Sequence, residues 1–317
     1  MSMSEPLTDH VYDISRQFYE SHVSPLIRGR FAVCADRIAV GISGEGSDCF
    51  GYDDLISRDH DYGTGVCLWV SDADMQEFGY RLSIAYNELT ERLGITLSDR
   101  LRERRGVMTI RGFYSGILGI DCDTQNCRIG DDDWRHLDHT CLATAVNGAV
   151  FRDDAGEFTA YRDLLLSYYP DRIWREQIAE ELHRFAAALQ VNYARCMTRG
   201  DIVAARLCQS QGTAAAMELF FLLRREYPPY YKWTYRRLTE IDRDGIFSGL
   251  IGELAESGCE RAVWEGKPYR ADIMNTADPV VVLAERIAGV IVSMLRAYGW
   301  TDSLDPYLER YVDVVLN

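Results

Sequence analysis

Residues 39–70 read AVGISGEGSDCFGYDDLISRDHDYGTGVCLWV. The stretch opens on an apolar run with strand character, Arg37 to Ile42, and breaks at Gly44-Glu45-Gly46-Ser47. Eleven residues separate Ser47 from Asp59-His60-Asp61, and a second apolar run, Val66 to Val70, follows. Side chains alternate along a strand with a period of two. The spacing therefore predicts Asp59 and Asp61 on one face and His60, packed, on the other. Two carboxylates on one face, opposite a glycine-rich turn, suit a divalent cation and a phosphate together. Mg2+ takes hard oxygen ligands and completes its octahedron with phosphate oxygens and water. A Gly-Ser turn lets backbone N–H groups approach an anion closely.

The alternative for this stretch is a polar loop with solvated acids. Five aspartates, Asp48, Asp53, Asp54, Asp59 and Asp61, crowd within fourteen positions. Such a cluster repels itself unless a cation or basic side chains neutralise it.

The chain has 317 residues, 47% of them hydrophobic, which predicts a globular protein of about two domains. No run of eighteen apolar residues occurs, so no transmembrane helix is expected. The start of the chain lacks the basic and apolar segments of a signal peptide. The nine cysteines are odd in number and scattered, with no Cys-x-x-Cys pair, and read as reduced residues of a cytoplasmic protein. Cys122 and Cys127 lack the further ligands of a structural zinc site. The net charge of −15 argues against bulk binding to nucleic acid, which needs a basic face.

Residues 8–29 carry a helical apolar stripe that Pro25 kinks or ends. Residues 30–43 predict the first strand, 59–70 the second and 107–112 the third, with a helix over 72–93 between the last two. Residues 117–120 are another apolar segment. Beyond about residue 130 helical periods dominate, over 137–150, 157–168, 171–199, 202–227, 234–241, 246–257, 278–298 and 305–316. The expected architecture is α+β: a mixed sheet with helices over residues 1–128, then a helical bundle over 129–317. His136 and His139, with Asp132 and Asp138 nearby, read as a solvated helix start and not as a metal site.

Two cationic features stand out in an acidic chain. Arg100, Arg102, Arg104, Arg105 and Arg111 cluster beside the third expected strand. They read either as a surface loop paired with acids or as a phosphate clamp, since arginine binds phosphate oxygens in bidentate fashion; Arg105 and Arg111 are its candidates. The second feature is Tyr227-Pro228-Pro229-Tyr230-Tyr231-Lys232-Trp233. It reads either as a helix–helix corner or as a ligand segment, with Lys232 on a phosphate and the rings holding a base.

The spacing of Gly46-Ser47 and Asp59-His60-Asp61 resembles the signature of the nucleotidyltransferase superfamily, which includes DNA polymerase beta and the aminoglycoside nucleotidyltransferases. The wider string SGEGSDCFGYDDLISRDHDYG, with PPYYKW downstream, looks like a bacterial subfamily with a C-terminal helical domain. The resemblance implies a nucleotidyltransferase-fold sheet and a Mg2+-dependent enzyme. It would move a nucleoside monophosphate from a nucleoside triphosphate, ATP first, to a hydroxyl of a small molecule or a protein. Asp59 and Asp61 would be the catalytic metal ligands. Gly46, Ser47, Lys232, Arg105 and Arg111 would contact the nucleotide. The family's third carboxylate is missing from the third expected strand. Asp121 or Asp123 could replace it, and Glu218 and Asp201 are weaker candidates for a base. The missing acid supports the alternative, a non-catalytic nucleotide-binding or regulatory protein.

Overall fold

The computed structural model describes residues 10–54, 56–57, 63–95, 99–270 and 273–317, and of residues 99, 100 and 102 it describes the backbone only. The chain divides into two compact units, Met1–Tyr168 and Tyr169–Asn317. The architecture is mixed α+β, with a four-stranded mixed sheet in the first unit and a mostly helical remainder. Among the described residues no helix is long and apolar enough to cross a membrane.

The sheet consists of β1 (Ala39–Ile42), β2 (Cys67–Val70), β3 (Gly106–Thr109) and β4 (Ala149–Arg152), in the order β3-β2-β1-β4. β2 and β4 run antiparallel to β1, and β3 runs parallel to β2. The registers pair Gly41 with Cys67, Cys67 with Gly106 and Ile42 with Ala149. One end of the sheet therefore gathers the exit of β1 and the entries of β2, β3 and β4. The exits of β2, β3 and β4 share the other end, roughly 10 Å away along four-residue strands.

Alternation along the strands sorts side chains to two buried faces. Val40, Leu68 and Val70 join Val23, Ile27, Phe78, Leu82 and Leu89 from helices Ser24–Arg30 and Tyr80–Arg92 and the π turns that precede them. On the opposite face Trp69 stacks on Phe158, ring centroids 3.8 Å apart, and meets Phe113 edge-on. These partners come from helices Ile110–Leu118 and Glu157–Leu166. Gly41 makes this packing possible. A Cβ there would lie 2.4 Å from the Ala149 carbonyl oxygen and 2.9 Å from the Trp69 ring.

Four expectations are corrected here. The first strand is short, because a 3-10 turn occupies Ala32–Arg37. The second strand begins only at Cys67, so no described strand underlies the shared face expected of Asp59 and Asp61. The third strand stops at Thr109, whose hydroxyl accepts the Gly112 N–H and starts helix Ile110–Leu118. The helix expected over 137–150 ends at Val146 and gives way to β4. The pairing of β4 with β1 carries the first unit past residue 128, where the helical part was expected to begin.

The helices expected over 157–168, 171–199, 202–227, 234–241, 246–257 and 278–298 are present with shifted ends, whereas Asp99–Arg104 and Asp131–His136 are unexpected helices and the one expected over 305–316 is α-helical only from Val312. Pro25 follows the π segment Tyr19–Val23 inside a continuous helical run, Val11–Arg30, so the run does not end there. In the second unit Asp171–Phe185 runs through a π segment, Ala186–Asn192, into Tyr193–Arg199. Asp201 caps Ile202–Arg224 by accepting the Ala204 N–H. Asp278 is fully buried and accepts from Tyr193 Oη, Trp264 Nε1 and the Val280 N–H, so its charge is met by three donors.

Candidate functional site

The glycine-rich turn leaves β1 at the sheet end that also receives β2, β3 and β4. Gly44 and Gly46 have φ of 112° and 114°, a region that side chains disfavour. Ser47 then opens a 3-10 turn, Ser47–Phe50. Three contacts hold this backbone. Asn147 Oδ1 accepts the Gly44 N–H at 2.9 Å, and its Nδ2 donates to the Gly44 carbonyl at 2.8 Å. Arg104 Nη1 donates to the Glu45 carbonyl. Asp48 Oδ1 accepts the Cys49 N–H, and its Oδ2 pairs with Arg105 Nη2 at 2.8 Å. A Cβ on Gly46 would lie 2.3 Å from both Arg104 Nη1 and Asp48 Oδ1, so only glycine fits this crossing. Among the described residues the N–H groups of Glu45 and Gly46 donate to no protein acceptor. Backbone N–H groups left unbonded in a glycine turn are available to an anion.

The expected acid cluster resolves into separate jobs. Asp48 is neutralised by Arg105, with both side chains buried. Asp53 accepts from His10 Nδ1 and from the Val11 N–H, at the start of the first helix. Burial opposes its charge, but these donors outweigh burial and its pKa is lowered. Asp54 accepts the N–H groups of Ile56 and Ser57. Asp59, His60 and Asp61 lie outside the described residues. The nearest described residue after them, Gly63, packs on Leu101, and Gly65 packs on the Arg105 side chain. Among the described residues no group of three or more His, Cys, Asp or Glu is arranged to hold a metal.

The cationic candidates separate. Arg105 is at the turn's end of the sheet, but its guanidinium is buried against Asp48 and Cys49 and cannot reach a ligand. Its neighbour Arg104 occupies the position over the turn. Arg111 stands at the opposite end of the sheet, after β3. There it pairs with Asp121 (Nε to Oδ1, 2.9 Å) and lies 3.8 Å from Asp72. It lines a cleft of about 450 Å3 with Ser71, Asp72, Thr124, Gln125 and Glu157. Asp121 is thus engaged by Arg111, and Asp123 by Asn126. Lys232 belongs to the second unit, in the first turn of helix Tyr231–Ile241. It is exposed, with Nζ 5.3 Å from the Trp233 ring and 5.5 Å from that of Tyr230.

Burial pushes the Cys49 thiol up to about 12 despite Arg105 beside it, and raises Cys67. Sequence reasoning did not single out Arg104 or name Asn147. Arg104 was one of five clustered arginines, and Asn147 gave no signal, because its role depends on β4 lying beside β1.

Residues 134–234 match a family described as a domain of unknown function, DUF4037. No curated protein and no solved structure matches the chain. Over less than half its length, therefore, the chain is similar to a family whose description assigns no activity.

Proposed function

We propose that the first unit is a nucleotidyltransferase that moves a nucleoside monophosphate from a triphosphate to a hydroxyl of a small molecule or protein. The observation that carries this reading is the Gly44–Ser47 turn, with its two unbonded N–H groups. It is cross-braced by Asn147, Arg104 and the Asp48–Arg105 pair. In this reading the turn and the Ser47 hydroxyl hold terminal phosphate oxygens. Arg104, above the turn, adds positive charge where negative charge develops, which is the largest catalytic contribution in such chemistry. Asp48, Asp53 and Asp54 already have partners, so Asp59 and Asp61 are the oxygen donors left for Mg2+. The ion would neutralise and orient the phosphates.

The alternative, nucleotide binding without transfer, has one observation in its favour. β3 carries no acid, and Asp121 is engaged by Arg111 at the far end of the sheet. One experiment separates the readings. The protein is incubated with α-labelled nucleoside triphosphates, Mg2+ and a panel of hydroxyl acceptors, and label transfer and melting temperature are both followed. Transfer that Asp61→Asn abolishes supports the enzyme. A Mg2+-dependent rise in melting temperature without transfer supports the binding protein. Neither effect with any triphosphate overturns both.

A further inference from the structure

The second unit contains a cavity of about 450 Å3 that the nucleotide reading does not use. Its floor is apolar. Phe220 and Phe247 stack with ring centroids 4.6 Å apart, and Leu223 and Met294 continue the wall. This size is that of small-molecule sites between helices, and polar groups share the lining with the apolar ones.

The charges on the wall are unusual. Asp242 is only 5% exposed. Its Oδ2 accepts the Ser248 N–H at 2.7 Å, helping to start helix Ile246–Glu256. Its Oδ1 has no hydrogen-bond partner among the described residues, and no cationic side chain pairs with the carboxylate. Asp244, on the same wall, accepts the Ile246 N–H and also has no cationic partner among the described residues. The one cation on the wall is Arg224, whose guanidinium lies 5.2 Å over the Phe220 ring and pairs with neither acid. The unbonded Asp242 oxygen is therefore an acceptor, on a carboxylate without a counter-charge, that a cationic ligand in the cavity could use.

We propose that this cavity binds a small organic ammonium ion with an apolar or aromatic body. The ammonium group donates to Asp242 Oδ1, with Asp244 beside it at the rim. The body lies against Phe247, Leu223 and Met294. Two carboxylates against one arginine select a cation over an anion of the same shape. The Phe220–Phe247 pair favours a flat or branched hydrocarbon next to the charge. This site stands on the second unit's own residues and does not depend on the nucleotidyltransferase reading.

The test uses the full chain and two probes of matched body and opposite charge, phenethylamine and 3-phenylpropionate. Binding is read by ligand-observed saturation transfer and by the melting temperature at millimolar probe. Phenethylamine is expected to bind and to raise the melting temperature, and 3-phenylpropionate to do neither. Asp242→Asn keeps the acceptor for Ser248 but removes the charge, and is expected to weaken the amine by about tenfold or more. Ser293 is exposed on the cavity rim, so Ser293→Trp is expected to block the cavity while leaving the core intact. Equal binding of the two probes overturns the proposal. So does an amine affinity unchanged in both variants, or no binding of the amine to the wild-type protein.

Discussion

The side-chain amide of Asn147 bonds both the N–H and the C=O of Gly44, across 103 residues of chain. One asparagine thus reads both polar groups of a single residue in the turn that follows β1 and ties it to the entry of β4. Its Oδ1 also receives the Ser43 hydroxyl at 3.2 Å. Asn147→Ala leaves these groups without partners in a half-buried place. The expected loss is about 1–3 kcal/mol of stability, measured by urea denaturation. Triphosphate affinity is expected to fall further than stability alone explains, since the turn loses its fixed shape. Wild-type affinity in this variant would show that the turn needs no brace.

A second prediction concerns Asp48 and Arg105, a buried ion pair under the same turn. Removing one partner of such a pair leaves an isolated charge. Asp48→Ala is therefore expected to cost about 3–5 kcal/mol in urea denaturation. Adding Arg105→Met to Asp48→Ala removes the orphaned charge and should recover much of the loss. A double variant no better than the single one would mean that the guanidinium is satisfied without Asp48.

The turn itself is legible in the sequence, because two glycines and a serine after an apolar run carry their own backbone preference. So is the division into a sheet-bearing part and a helical part, which follows from the change of apolar period. What the periods do not convey is competition between neighbours. Residues 149–152 are apolar enough for either a helix end or a strand, and only pairing with β1 decides. Arg104 and Arg105 are adjacent and chemically identical. Which one is buried depends on Asp48, far away in sequence. Arg111 falls at the wrong end of the sheet for a phosphate clamp because β3 runs parallel to β2, which puts its exit away from the turn.

The third prediction is a pH dependence. Burial and the neighbouring Glu218 raise the Glu181 pKa from 4.5 to about 8, against the pull of Arg184. The folded chain thus keeps a proton that the unfolded chain releases above its ordinary pKa. Stability from this residue falls as pH climbs between those two values. Glu181→Gln imitates the protonated acid. Melting curves of the two proteins should coincide near pH 5 and separate toward pH 8, with the variant more stable. Parallel curves across that range would mean that Glu181 titrates as an ordinary carboxyl.

The last prediction concerns Lys232. As a phosphate contact it should show in binding: Lys232→Ala lowers triphosphate affinity, more at low salt than at high salt. As the flank of an aromatic corner it packs on Trp233, whose Nε1 donates to Tyr230 Oη at 2.8 Å. Then only the melting temperature moves. Calorimetric titration at two salt concentrations, with melting on the same samples, decides between them.

The pairing of β4 with β1 bears on how this chain can be cut. A gene trimmed to residues 134–234 would begin inside helix Asp131–His136 and end inside helix Tyr231–Ile241. It would keep β4 and discard β1, leaving both sides of a strand that carries Val150 and Phe151 open to other chains. Unpaired strand edges of that kind recruit copies of themselves. Such a fragment is expected to aggregate. A cut that respects the sheet falls after Tyr168.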